Sequence, residues 1–342
     1  MYLLPSKKII VLFMGPMLAL LTLPSLAAND FKTNEFMVDG ADSGVRIFVR
    51  NKHRNDLAHF DANKIVLLVH GATYPSETVY DLNLPGGSWL EVLASQGYDA
   101  YLMDVRGYGR SARPDSMREP PESNPPFATT AEARRDVASV VDFIRARRQV
   151  EKINLIGWSW GTSIMGGYAA THQDKVNKLV LYAPVWNFNT PPPISGSGAY
   201  RSVSKDSARK RGLRGIPESR IEEISPASWF EQWWESLLES DPEGAAQTPP
   251  VIRAPNGVLK DIGEFIKTGV PLYDAAEIRA PVLVLIGEWD QDTPPYMSDA
   301  LFAKIVNAPF KELVRIPEAT HAIILEKQRT LLMQKVQEFL DR

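Results

Sequence analysis

The chain of 342 residues contains no cysteine. That absence excludes disulfides, thiol nucleophiles, iron–sulfur ligation and zinc–thiolate sites. Histidine is scarce. The five present are His53, His59, His70, His172 and His321. No two of them have the spacing of a helical zinc motif, so no metal or cofactor is expected. Neither charge sign dominates, with 38 basic and 41 acidic residues and a net charge of −3. The electrostatic footprint of a nucleic-acid binder is therefore missing. Past the N-terminus no apolar run approaches membrane length. The remaining composition is that of a soluble globular protein, 44% hydrophobic and 23% charged. The length implies one or two domains and a core large enough to need no staples.

The N-terminus reads as a targeting segment. Lys7 and Lys8 provide a positive start, Ile9 to Leu23 an uncharged apolar run, and Ser25-Leu26-Ala27-Ala28 a small-residue end. This three-part build is that of a secretory signal peptide over residues 1–28, cleaved after Ala27 or Ala28. The apolar run is shorter than the roughly 20 residues a spanning helix needs. The expectation is an exported protein, periplasmic or secreted, with no membrane span once the segment is removed.

Beyond it, strands alternate with helices. Apolar runs recur at Ile65–Val69, Tyr98–Met103, Ile153–Ile156, Leu179–Tyr182, Val282–Ile286 and Glu312–Ile316. Most are continuous in Val, Ile and Leu, which suits strands buried on both faces of a parallel sheet. Residues 35–51 alternate loosely and suit an antiparallel hairpin. Residues 130–147 carry Val137, Val140, Val141 and Ile144 on one stripe, behind a capping box of Thr129 and Glu132. Residues 161–171, 296–306 and 325–341 read as further helices. The pattern predicts an α/β fold with a mostly parallel sheet and helices on both faces. From about Trp186 to Ala280 no clear strand is visible. This stretch is too long for a structureless loop and reads as an inserted, mainly helical cap over 186–280. The core then covers 29–185 and 281–342.

The chemistry lies at strand ends. Gly157-Trp158-Ser159-Trp160-Gly161 follows a strand and opens a helix, the context of a nucleophile elbow. So tight a turn strains the serine backbone, admits only glycine two residues either side, and lifts Ser159 Oγ above the sheet. A serine hydroxyl needs a base, and the base needs an orienting carboxylate. His321, in the loop after the last strand, is the candidate base, because His172 falls at the far end of the elbow helix. Asp290 is the candidate acid in Gly287-Glu288-Trp289-Asp290-Gln291-Asp292, with Asp292 and Glu288 as rivals. An oxyanion would need preorganised donors. The backbone N–H groups of Trp160 and Ala72 are the candidates, Ala72 because it follows His70-Gly71 at the end of a strand. His70 reads as a support for that loop rather than a reacting group. Asp104-Val105-Arg106-Gly107-Tyr108-Gly109-Arg110-Ser111 lacks the spacing of a dinucleotide fingerprint and reads as a tight turn.

Taken together, the His-Gly pair at 70–71, the D-x-R-G-x-G-x-S segment, the elbow, the acid turn and the histidine loop resemble the α/β-hydrolase fold serine hydrolases. The resemblance covers about residues 35–185 and 275–340. It implies attack by Ser159 on a carbonyl, with His321 taking the proton and Asp290 fixing its tautomer. Water activated by His321 would then release the acyl group. A serine at the elbow sets the chain apart from the related haloalkane dehalogenases and epoxide hydrolases, which use aspartate there. A haloperoxidase-like side reaction is compatible with the same residues.

The substrate is a small molecule in every reading. Trp158, Trp160, Trp186, Phe188, Trp229, Trp233 and Trp234 crowd the elbow and cap, and Tyr74 and Pro75 follow the oxyanion loop. Tyr74, Trp158, Trp186 and Trp229 are the candidate substrate-binding residues. Such aromatics either shape an apolar pocket or form the cap's own core. The leading expectation is an exported carboxylic-ester hydrolase. An aminopeptidase of the proline-iminopeptidase type is the alternative, with Glu222 and Glu223 as candidate holders of a substrate amine. A third reading is a ligand-binding relative that has lost turnover. The sequence carries no sign of oligomeric state.

Overall fold

A computed structural model describes residues 30–187, 196–266 and 268–342. The signal segment, Phe188 and the Pro191–Pro193 run lie outside the described residues. Ten strands form in chain order: β1 Phe31–Asp39, β2 Arg46–Arg54, β3 Ile65–Val69, β4 Asp99–Met103, β5 Ile153–Trp158, β6 Val176–Tyr182, β7 Tyr200–Ser204, β8 Val251–Pro255, β9 Val282–Gly287 and β10 Lys311–Ile316. Eight of them make one sheet in the order β1-β2-β4-β3-β5-β6-β9-β10. Strand β2 runs antiparallel to β1 and β4, and every other pairing is parallel. The six apolar runs are therefore the six parallel strands, and the loosely alternating stretch is the hairpin.

Continuous apolar strands follow from burial on both faces. In β3, Ile65, Leu67 and Val69 pack on one side with Val137, Val140 and Val141 of the helix Thr130–Arg148. Val66 and Leu68 face the other side, with Leu90, Leu332 and Val336. The helix Thr130–Arg148 starts at the expected capping box, in which Thr129 N–H donates to Glu132 Oε2 at 2.7 Å. The predicted last helix is Arg329–Leu340, preceded by a short turn at Ile323–Leu325.

Two features of the topology position the site. The chain passes from β3 to β4 on one side and to β5 on the other, so the strand order reverses between β4 and β5. Open α/β sheets bind ligands at the carboxyl ends of strands flanking such a reversal. The register then aligns those ends: Val69 pairs with Gly157, Trp158 with Tyr182, Tyr182 with Leu285, and Gly287 with Ile316. The loops after β3, β5, β9 and β10 thus emerge along one edge.

The segment 186–280 leaves after β6 and returns at β9. It holds the helices Lys205–Gly212 and Ala227–Ser240, as a mainly helical insertion should. It also holds a separate antiparallel ribbon of β7 and β8, which corrects the expectation of no strand there. Arg201 in β7 and Arg253 in β8 are buried. A charged residue inside a five-residue strand hides both the alternating and the continuous apolar signature. The Arg253 charge is met by Asp241, whose Oδ1 lies 2.6 Å from Arg253 Nη2.

Candidate active site

Ser159 sits between β5 and the helix Trp160–Thr171 with φ 55° and ψ −120°, a left-handed conformation that a non-glycine residue holds only under constraint. The constraint is visible. Ser159 N–H donates to Tyr182 O at 2.9 Å, and Ser159 O accepts the Thr162 hydroxyl at 2.6 Å. The flanking glycines are required by contact. A Cβ on Gly157 would stand 2.3 Å from Gly161 O, and one on Gly161 would stand 2.6 Å from Val69 O.

The loops after β9 and β10 bring Asp290 and His321 together. His321 Nδ1 lies 2.8 Å from Asp290 Oδ2. Asp290 is almost fully buried, and its other oxygen accepts the N–H groups of Asp292 and Thr293, each at 2.8 Å. The Thr293 hydroxyl lies 2.9 Å from Asp290 Oδ2 and 3.2 Å from His321 Nδ1. With Nδ1 facing the carboxylate as donor, Nε2 is the ring nitrogen left to act as an acceptor. It is buried without a hydrogen-bond partner and faces the cavity that Ser159 also lines. Two donors pin the His321 carbonyl, the Trp158 indole at 3.1 Å and the Tyr182 hydroxyl at 2.9 Å.

The rival acids are engaged elsewhere. Asp292 Oδ2 accepts Arg211 Nε at 2.6 Å and its Oδ1 accepts Arg214 Nη1 at 2.7 Å. Burial alone would raise the Asp292 pKa, but Arg211 and its neighbours hold it below the usual carboxylate value. Glu288 is exposed and accepts the Glu318 N–H at 3.2 Å.

The loop after β3 lies against the elbow, where a Cβ on Gly71 would be 3.0 Å from Ser159 Cβ. His70 Nδ1 lies 2.6 Å from Gly71 O, and His70 Nε2 accepts the Val105 N–H at 3.0 Å. Carbonyl and N–H of one trans peptide point in opposite directions. By holding the Gly71 carbonyl, His70 therefore turns the Ala72 N–H away from itself. Burial lowers the His70 pKa to about 4, so the ring is neutral. This is the loop support read from the sequence.

The glycine-rich segment after β4 is a turn around a buried carboxylate. Asp104 accepts the N–H groups of Ser76 at 2.8 Å and Arg110 at 3.1 Å. Burial pushes the Asp104 pKa up to about 7.

Of the four candidate substrate-binding residues, Tyr74, Trp158 and Trp229 line the cavity. Trp186 does not. It leaves β6 toward the other side and packs edge-on against Tyr273, with ring centroids 5.2 Å apart. Trp160 is likewise turned under the elbow, its indole donating to Thr130 Oγ1 at 2.8 Å. Trp233 joins the lining and meets Tyr74 edge-on at 4.6 Å. The sequence reading missed Thr293, which had no motif around it, and the cap arginines Arg201, Arg209, Arg211 and Arg214. The Lys205–Gly212 helix, with Arg209, Lys210 and Arg211, was the available signal for two of these.

Comparison with known proteins agrees with this architecture. Residues 61–328 match the family model described as serine aminopeptidase, S33. Human lipase member N is 26% identical over 167 residues, which is 49% of this chain and 41% of that protein. Bovine gastric triacylglycerol lipase is 31% identical over 139 residues, covering 39% of this chain and 34% of that protein. The chain thus spans about two fifths or less of these relatives' length. A solved esterase from Thermogutta terrifontis superposes with a TM-score of 0.59 at 19% identity, covering 90% of this chain and 98% of that one. That likeness is one of fold. With most of its length matched, the chain belongs to the serine aminopeptidase S33 family of α/β-hydrolases.

Proposed function

We propose that this protein is an exported carboxylic-ester hydrolase in which Ser159 is the nucleophile, His321 the general base and Asp290 the residue that orients it. The observation that carries this reading is His321 Nε2. It is buried and without a hydrogen-bond partner among the described residues, and His321 lines one cavity with the strained Ser159. A base held at Nδ1 by a saturated carboxylate and open at Nε2 can accept a hydroxyl proton. Ser159 Oγ attacks the ester carbonyl and its proton passes to His321. The N–H groups of Ala72 and Trp160 receive the oxyanion, and the alcohol leaves with the proton from His321. Water then repeats the sequence on the acyl-enzyme. Each oxyanion donor contributes roughly 100- to 1,000-fold in rate. The lipase and esterase names of the relatives point the same way.

The family description raises aminopeptidase activity as a second reading. That chemistry needs a carboxylate free to hold a substrate amine. Glu223 is bound to Arg220 at 2.7 Å, and Glu222 Oε2 accepts the Ala227 N–H at 3.2 Å. Neither lines the cavity. The third reading, a binding protein without turnover, has no support from a site in which nucleophile, base and acid candidates are all intact.

The deciding experiment is hydrolysis of a short-chain aryl ester by the protein and by its Ser159→Ala variant, beside an amino-acid arylamide. Ester turnover that vanishes in the variant supports the proposal. Arylamide turnover without ester turnover overturns it in favour of the peptidase. Absence of both, with no phosphonate labelling of Ser159, overturns it in favour of the binding protein. Export rests on the N-terminal segment alone. It requires that the protein recovered outside the cytoplasm begin at residue 28 or 29.

A further inference from the structure

The cap side of the cavity is basic. Arg209 and Arg211, two residues apart on Lys205–Gly212, both line it. Arg214 follows, and Arg201 of β7 lies behind the loop after β3. Thr73 Oγ1 joins two of them, accepting Arg211 Nη1 at 2.9 Å and Arg201 Nη2 at 3.0 Å. Among the residues lining the cavity, Asp292 is the carboxylate that meets them, and both of its oxygens are taken by Arg211 and Arg214. The other lining carboxyl, Glu326, is held by Thr320, and burial pushes its pKa up to about 7. The charge is not balanced from within.

Arg209 is the least satisfied of the four. Among the described residues its hydrogen bonds run only to Ser225, at 3.4 Å to the carbonyl and 3.5 Å to the hydroxyl. Its guanidinium lies 5.0 Å from the centre of the Phe230 ring, which steadies the plane without using its donors. Arg211 gives Nε to Asp292 and Nη1 to Thr73, and also contacts the Tyr74 hydroxyl. An arginine fork with free donors in a partly desolvated cavity matches a carboxylate in shape and charge. The same cavity, which Ser159 also lines, has apolar and aromatic lining from Tyr74, Trp229, Phe230 and Trp233.

We propose that the substrate is an ester carrying a carboxylate, separated from the scissile carbonyl by a short apolar spacer and held by Arg209 with Arg211. This rests on the ester-hydrolase reading and narrows it to an anionic substrate class. It also states why a cationic amine would be repelled from the same cavity.

The test compares two aryl esters of one length, mono-4-nitrophenyl glutarate and 4-nitrophenyl pentanoate. The expected result is a kcat/KM ratio favouring the glutarate by roughly 10- to 100-fold, the range of hydrogen bonds to a charged group. Arg209→Gln should collapse that ratio, and Arg209→Lys, which keeps charge but not the fork, should retain part of it. A parent that favours the neutral ester, or a ratio that Arg209→Gln leaves in place, overturns the proposal. Binding separates this from failure of the hydrolase reading. Glutaric acid monoanilide and its neutral methylamide are titrated calorimetrically into Ser159→Ala, which needs no turnover. Tighter binding of the acid by about tenfold or more, lost on adding Arg209→Gln, supports the anionic class even if neither ester is cleaved. Equal binding of the two overturns it.

Discussion

Arg201 Nη2 donates to the carbonyl of Ala72 at 2.6 Å, tying the β7–β8 ribbon to the loop after β3. Arg201 is buried and has no carboxylate partner among the described residues. Its Nη1 donates to Pro255 O at 2.8 Å and Asn256 Oδ1 at 3.1 Å, while its buried Nε has no hydrogen-bond partner among the described residues. Uncompensated charge at such depth is expensive, and burial pulls its pKa below the ordinary arginine value. On the proposed mechanism its charge supports the loop that carries the Ala72 N–H.

Arg201→Met should therefore lower kcat for a neutral aryl ester by roughly tenfold, less than loss of an oxyanion donor itself, while KM moves little. Steady-state kinetics of the variant check this. An unchanged kcat would show that the tether is only structural.

Asp290 and Asp292 lie two residues apart but should behave differently. Asp290→Asn removes the acceptor that fixes His321 Nδ1, and kcat should fall on the order of 1,000- to 10,000-fold. Asp292→Asn releases Arg211 and Arg214, and its effect on kcat should stay within about tenfold. Equal losses in the two variants, measured on one ester, would show that His321 is oriented by the turn as a whole.

The contrast between these two aspartates also marks how far the sequence could be read. The six parallel strands were legible because burial on both faces leaves unbroken Val, Ile and Leu runs. Ser159 and His321 could be nominated as candidates because glycine spacing and strand-end position constrain them. Asp290 could be separated from Asp292 only by geometry, since the decision lies in a pair of cap arginines about 80 positions away in the chain. Trp186 was misplaced because aromatic content does not say which side of a sheet a loop turns to. The ribbon β7–β8 was invisible because the buried Arg201 and Arg253 interrupt its apolar pattern.

The elbow stores backbone strain that glycine would release. Ser159→Gly should be more stable than Ser159→Ala by on the order of 1 kcal/mol, because both remove the hydroxyl but only glycine adopts φ 55° freely. Denaturant midpoints of the two inactive variants check this. Equal midpoints would show that the hydrogen bonds to Tyr182 and Thr162 absorb the strain.

Glu326 gives the stability a pH dependence that can be isolated. It is 1% exposed, accepts the Thr320 N–H at 3.1 Å, and contacts the Thr320 hydroxyl. Burial, with repulsion from Asp290, pushes its pKa from an ordinary 4.5 up to about 7 against the pull of Thr320. Between those values the folded state keeps a proton that the unfolded chain has released. Stability is therefore lost as pH rises through that window and is lowest above it. His70, lowered to about 4, works in the opposite sense, because its burial costs stability as pH falls below about 6.5. That background is common to the parent and a Glu326→Gln variant, so it cancels in their difference. The variant has no proton to lose and keeps an acceptor for the Thr320 N–H. Its melting temperature should match the parent near pH 4.5, exceed it increasingly toward pH 7, and level off by pH 8. The advantage there should be on the order of 2–3 kcal/mol. A difference that does not vary with pH, or is largest in acid, would show that Glu326 is charged in the folded protein and that its contacts with Thr320 outweigh its burial.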